Sequence, residues 1–128
     1  MLRILVIEDH ALELKLASHV LEAAGHEVNG LEAADLAFAS ILEDKPDLVL
    51  LDMSLPGMDS LALVRSLKAD IRTEGILIVA VTSYPEKYSK ESALSAGCDA
   101  YLMKPLSIRT LSQDLHEIVQ KSHEPTGT

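Results

Sequence analysis

Apolar runs of strand length alternate with stretches of helical periodicity along the whole of this 128-residue chain. Leu2–Ile7 is apolar apart from Arg3, Leu48–Leu51 reads Leu-Val-Leu-Leu, and Ile76–Val81 is apolar throughout. Runs that are apolar on both faces predict a parallel sheet covered on both sides, since a half-solvated antiparallel sheet would alternate. A weaker strand is expected at Glu27–Gly30 and a short one at Ala100–Met103. Between the runs, Leu12 and Leu16, and Leu14 and Leu21, recur at helical spacing from about Ala11 to Ala24, with Gly25 at the left-handed C-cap position. Further helices are expected over Ala33–Asp44, closed by Lys45-Pro46, and over Ser60–Ala69 after a loop carrying Pro56-Gly57. Glu86–Ala96, with three serines and a tyrosine, is a helix of poor propensity that Gly97 stops. Ser107 can cap a last helix with Ile108, Leu111, Leu115 and Ile118 on its apolar face. The expectation is one doubly wound α/β domain of five strands and five helices, over residues 1–121. A short polar tail follows at 122–128.

Composition narrows the function classes. The chain is 48% apolar and 24% charged, a globular make-up with enough apolar residues to build a core without disulfides. Its formal net charge of −9 repels phosphate backbones, which argues against nucleic-acid binding. Cys98 is the single cysteine, so no intrachain disulfide exists and a reducing compartment is expected. The start turns acidic directly after Ile7, unlike a signal peptide. No apolar run approaches the roughly 18 residues that cross a bilayer. A cytoplasmic protein without membrane contact is the expectation.

In open α/β sheets, ligands bind beyond the carboxyl ends of the strands. The residues that follow the apolar runs are therefore the informative ones: Glu8-Asp9, Asp52, Thr82 and Lys104-Pro105. Each alone has an ordinary reading, as a strand end, a loop aspartate, a strand threonine or a turn. Together they bring three carboxylates, a hydroxyl and an ammonium to one rim. Clustered carboxylates repel, and an oxygen-seeking divalent cation relieves that repulsion; Mg²⁺ is the usual occupant where protein ligands are few. Such parts suit phosphoryl transfer. Asp52 would be the nucleophile, Mg²⁺ and Lys104 would neutralise the phosphoryl oxygens, and Thr82 would donate a hydrogen bond.

Four blocks, spread over most of the chain, resemble the receiver domain of two-component response regulators. They are Ile7-Glu8-Asp9-His10, Leu50 to Asp59, Val79-Ala80-Val81-Thr82-Ser83, and Gly97 to Pro105. The resemblance implies a flavodoxin-like sheet of order 2-1-3-4-5. It implies that Asp52 is the phosphoacceptor, taking a phosphoryl group from a phosphohistidine of a sensor histidine kinase or a histidine phosphotransfer protein. Asp9 would ligate Mg²⁺ directly and Glu8 through water, with the Met53 carbonyl and Asp52 completing the protein's share. Lys104 would hold a phosphoryl oxygen, and the Lys104–Pro105 bond would be cis. Thr82 would move toward the aspartyl phosphate and Tyr101 would turn inward behind it. The face formed by the fourth helix, fifth strand and fifth helix would bind a downstream protein or a second copy. The weak Glu86–Ala96 helix suits such a switch.

Some residues depart from the family pattern or tune it. Ser60 stands where glycine is usual, and Ser83 where alanine or glycine is commoner. Ser54 and Tyr84, each two residues beyond a key site residue, resemble the family positions that tune how long the phosphoryl group lasts, and Tyr84 is expected to shield it from water. The five histidines (His10, His19, His26, His116 and His123) show no ligand spacing and are expected to be solvated, and Cys98 to be a packed loop thiol. Two enzyme-like alternatives fit less well. A haloacid-dehalogenase-like phosphohydrolase wants a second aspartate two residues after the nucleophile, where this chain has Ser54. A flavodoxin-like redox carrier needs a phosphate-binding loop where this chain has Glu8-Asp9-His10-Ala11-Leu12-Glu13.

Overall fold

A computed structural model describes residues 1–56 and 59–122. Gly57 and Met58, in the expected loop after Pro56, and positions 123–128 of the tail, His123 included, lie outside the described residues. In chain order the elements are β1 (Arg3–Ile7), α1 (Ala11–Ala23), β2 (Glu27–Leu31), α2 (Ala37–Glu43) and β3 (Leu48–Asp52). They continue with α3 (Ser60–Ala69), β4 (Leu77–Thr82), α4 (Lys90–Ala96), β5 (Ala100–Met103) and α5 (Leu111–Ser122). All strand pairs are parallel and the sheet order is β2-β1-β3-β4-β5.

Strand side chains alternate between the two faces of the sheet, and each face has its own core. Leu5, Ile7, Val49, Leu51, Ile78 and Ala80 pack with buried residues of α2, α3 and α4, such as Ile41, Leu67 and Ala93. Ile4, Val6, Leu48, Leu50, Val79 and Val81 pack with Ala17 and Leu21 of α1 and Leu111 and Leu115 of α5. By the same alternation, Glu8 and Asp52 follow Val6 and Leu50 toward the α1/α5 side. β3 lies between β1 and β4 with every residue buried, so Asp52 is delivered at the middle of the carboxyl edge.

Three helices begin later than the sequence suggests. α2 begins at Ala37, four residues beyond Ala33, with no side-chain cap at Leu36. α4 begins at Lys90 because the Ser89 hydroxyl accepts from the Ser92 amide at 3.1 Å and caps it there. Residues 86–88 instead form a turn closed by Tyr88 N to Tyr84 O at 2.9 Å. Ser107 accepts from the Thr110 amide at 3.2 Å, which closes a turn that precedes α5 and leaves Ile108 outside the helix and 58% exposed. On α1, Leu14 and Leu21 face the core, whereas Leu12 and Leu16 are exposed. Two leucine pairs at helical spacing marked two faces, and the sheet covers one.

α3 starts as expected. The Asp59 carboxylate accepts from Leu61 N and Ala62 N, and the buried Ser60 hydroxyl donates to the Asp52 carbonyl at 3.3 Å. Gly97 ends α4 at φ +121°, a region that disfavours any side chain. No described helix is long and apolar enough to cross a membrane.

Candidate functional site

Three strand ends bring their polar residues into contact at the carboxyl edge of the sheet. Asp52 is the last residue of β3, Glu8 follows β1, and Lys104 follows β5. The Lys104 amide is fixed by the Thr82 carbonyl at 2.9 Å, and the Lys104–Pro105 peptide is cis. The Lys104 ammonium donates to Asp52 Oδ2 at 3.2 Å, to Glu13 Oε2 at 2.8 Å, and to Glu8 Oε1. The other Asp52 oxygen, Oδ1, accepts from both the amide and the hydroxyl of Ser54 at 2.9 Å. Asp52 and Glu8 are buried, 2% and 5% exposed.

That arrangement sets the charges. Burial pushes the Glu8 carboxyl up to about 7, with the neighbouring Asp52 adding to the rise and Lys104 opposing it. Burial pushes the Asp52 carboxyl up as well, but the Ser54 amide, Glu8 and Lys104 together hold it below its usual range. For Lys104, burial disfavours the ammonium, and hydrogen bonds to Glu13 and Glu8 reverse this and keep it charged. A carboxylate that stays ionised beside a captive cation is a nucleophile with a charge-neutralising partner in place.

Glu8, Asp9, His10 and Asp52 each offer one ligand atom, all within 4.8 Å of one another. Asp9 Oδ1 is buried with no hydrogen-bond partner, and the nearby His10 Nδ1 is 3.4 Å away. An orphaned buried carboxylate oxygen beside two other carboxylates fits a divalent cation with oxygen ligands. Met53 stands next to Asp52 with its amide bonded to Val81 O at 2.9 Å, which fixes the backbone at this corner.

Thr82 lies on β4 one residue past Val81, the register partner of Asp52, and its hydroxyl accepts from the Tyr84 amide at 2.9 Å. Ser83 is exposed and Tyr84 is 53% exposed. Tyr101 is removed from the carboxylate cluster: its hydroxyl donates to the Tyr88 carbonyl at 2.6 Å, which ties β5 to the turn before α4. A cavity of about 150 Å³ opens from Glu8, Asp52 and Lys104 between α1 and the segment after β5, with Leu16, Leu106 and Ile108 on its walls.

Two residues of this site escaped the sequence reading. His10 was expected to be a solvated histidine; it is exposed, yet its Nδ1 lies 3.1 Å from Glu8 Oε2 and 3.4 Å from Glu13 Oε2. Hydrogen bonding to Glu8 and the charge of Asp9 raise its pKa. Glu13 reaches the site from the first turn of α1 rather than from a strand end. The one signal for either was position, since both stand just after the Glu8-Asp9 pair. Cys98 is buried, and burial pushes its thiol up to about 11, in keeping with a packed thiol.

Comparison with known proteins bears on this geometry. The response regulator receiver domain family matches residues 4–116. The polar-differentiation response regulator DivK of Brucella anthropi is 38% identical over 109 residues, which is 82% of this chain and 85% of DivK. The CheY-like receiver domain protein of Methanospirillum hungatei is 30% identical with a TM-score of 0.85, over 96% of this chain and 98% of that one. The receiver domain of the Pseudomonas aeruginosa sensor histidine kinase PA1611, solved with magnesium coordinated in its active-site cleft, is 25% identical with a TM-score of 0.83, over 93% and 98%. The sheet order, the carboxylate cluster around Asp52 and the family match agree: the chain belongs to the response regulator receiver domains of two-component signalling.

Proposed function

We propose that this receiver is a phosphorylation-driven switch in which Asp52 accepts a phosphoryl group from a phosphohistidine of a histidine kinase or phosphotransfer protein. The P–N bond of the donor breaks as an Asp52 carboxylate oxygen takes the phosphoryl group. The observation that carries this reading is the Lys104 ammonium held between Asp52 and Glu8 in a buried pocket. It supplies positive charge where the transferred group gathers negative charge.

Asp9, Asp52 and the Met53 carbonyl are the residues that would hold Mg²⁺ directly, with Glu8 acting through water. The orphaned Asp9 oxygen supports that assignment, as does the magnesium bound in the PA1611 receiver. Bound there, Mg²⁺ would neutralise charge on the phosphoryl oxygens. Lys104 orients the incoming group, and the Ser54 amide and hydroxyl fix the rotation of the Asp52 carboxylate. Thr82 turns its hydroxyl from the Tyr84 amide to the phosphoryl group, and Tyr101 moves in behind it. Ser54, Ser83 and Tyr84 set the lifetime of the phosphorylated form.

The Tyr101–Tyr88 hydrogen bond couples β5 to the start of α4, which supports an output face made of α4, β5 and α5. That face would take a downstream protein or a second copy of the chain. The only chemistry proposed is the chain's own phosphorylation and dephosphorylation, in the cytoplasm. Acetyl phosphate with Mg²⁺ tests the reading: wild type takes up one phosphoryl group per chain and Asp52→Asn takes none. Sustained rapid turnover of phosphate esters would instead indicate a phosphohydrolase.

A further inference from the structure

A lysine ammonium has three N–H donors. Those of Lys104 meet three carboxylates: Glu8 Oε1, Glu13 Oε2 at 2.8 Å and Asp52 Oδ2 at 3.2 Å. The head group is therefore saturated, and it can hold a phosphoryl oxygen only by giving up one of these partners. Glu8 and Asp52 are fixed on strand ends and buried. Glu13 is different, since it hangs over the rim from the first turn of α1 with its side chain 51% exposed. It is also the nearer to the ammonium of the two partners Glu13 and Asp52. The lysine stem is confined by the pocket, with the side chain 10% exposed, so its freedom is a swing of the head between α1 and Asp52.

We propose that Glu13 is a positioning residue: it holds the Lys104 ammonium toward α1 and thereby weakens the grip of Lys104 on an anion attached to Asp52. This rests on the reading of Asp52 as phosphoacceptor. The contact works against phosphoryl retention, so it sets how readily the switch turns off. A first-turn glutamate also has an ordinary role, favouring the positive end of the helix dipole. The two roles separate by reach. Aspartate keeps the charge and the dipole interaction but is one methylene shorter and loses the contact with Lys104.

The test is the affinity of beryllofluoride, a phosphoryl mimic, for wild type, Glu13→Gln and Glu13→Asp with Mg²⁺ present. Calorimetry gives the affinity, and ¹⁹F NMR reads the fluorine that faces Lys104. Both variants are expected to bind about fivefold more tightly than wild type, the scale of one exposed ion pair, and to shift that fluorine resonance alike. Equal affinity in all three proteins overturns the proposal. So does tightening in Glu13→Gln alone, which would assign the effect to net charge. Failure of wild type itself to bind the mimic would overturn the Asp52 reading, and this inference with it.

Discussion

Lys104 Nζ lies 3.2 Å from Asp52 Oδ2, although 52 residues separate the two in the chain. The pairing follows from topology. β3 and β5 flank β4 in a parallel sheet, so both strands run out at the same edge, and the Thr82 carbonyl at the end of β4 anchors the Lys104 amide between them. A carboxylate and an ammonium are thus set side by side before any donor arrives.

Removing that ammonium leaves buried carboxylates without compensation. Lys104→Met is expected to lower stability by about 3 kcal/mol in the absence of divalent cations. Mg²⁺ should restore part of it by returning positive charge to the cluster. Phosphoryl uptake from acetyl phosphate should fall on the order of a hundredfold. Urea unfolding with and without MgCl₂ checks the first part, and a loss of stability indifferent to Mg²⁺ would contradict it.

Tyr84 sits two residues past Thr82, where its backbone amide already contacts the Thr82 hydroxyl. If its ring screens the aspartyl phosphate from water, Tyr84→Ala should lose the phosphoryl group about threefold faster, a change of under about 1 kcal/mol in barrier. A single-turnover decay measurement decides this, and an unchanged or slower rate contradicts it.

His26 supplies a pH dependence away from the site. Its Nδ1 accepts from the Leu2 amide at 3.0 Å, and burial, followed by the Met1 ammonium, lowers its pKa. A histidine with a depressed folded pKa takes up protons more readily when unfolded, so its contribution is present above about 6.5 and is lost as pH falls through the folded value. Wild type should therefore lose more stability than His26→Asn between neutral pH and pH near 5. One side-chain hydrogen bond limits the difference to about 1 kcal/mol. Urea midpoints at the two pH values measure it, and parallel losses in both proteins would contradict it.

Gly97 is needed for two reasons. It holds φ at +121°, and a Cβ there would come within 2.7 Å of Lys68 Cγ, on a side chain already engaged with Asp99 at 2.9 Å. Gly97→Ala should cost about 1 to 3 kcal/mol, seen as a lower thermal midpoint. A neutral effect would mean that the end of α4 relaxes freely.

The fold was legible because β1, β3 and β4 are short and apolar on both faces, so their limits show as changes in hydropathy. Glu8, Asp52 and Lys104 were legible for a related reason: the residues just past those limits must meet at one edge. Helix starts were not. Capping by Ser89 chose among several serines, and in α1 only packing told the core-facing Leu14 and Leu21 from the exposed Leu12 and Leu16. Glu13 was hidden because its partner is 91 residues away and no periodicity announces a helix turn overhanging a sheet edge.

The most direct test locates the phosphoryl group. After incubation with a phosphodonor and Mg²⁺, borohydride reduces an aspartyl phosphate to homoserine, and peptide mapping then finds the altered residue. Conversion at position 52 alone is the expected result. Conversion at Asp9, Asp59 or another carboxylate, or none in protein that is folded and bound to Mg²⁺, would contradict Asp52 as the phosphoacceptor.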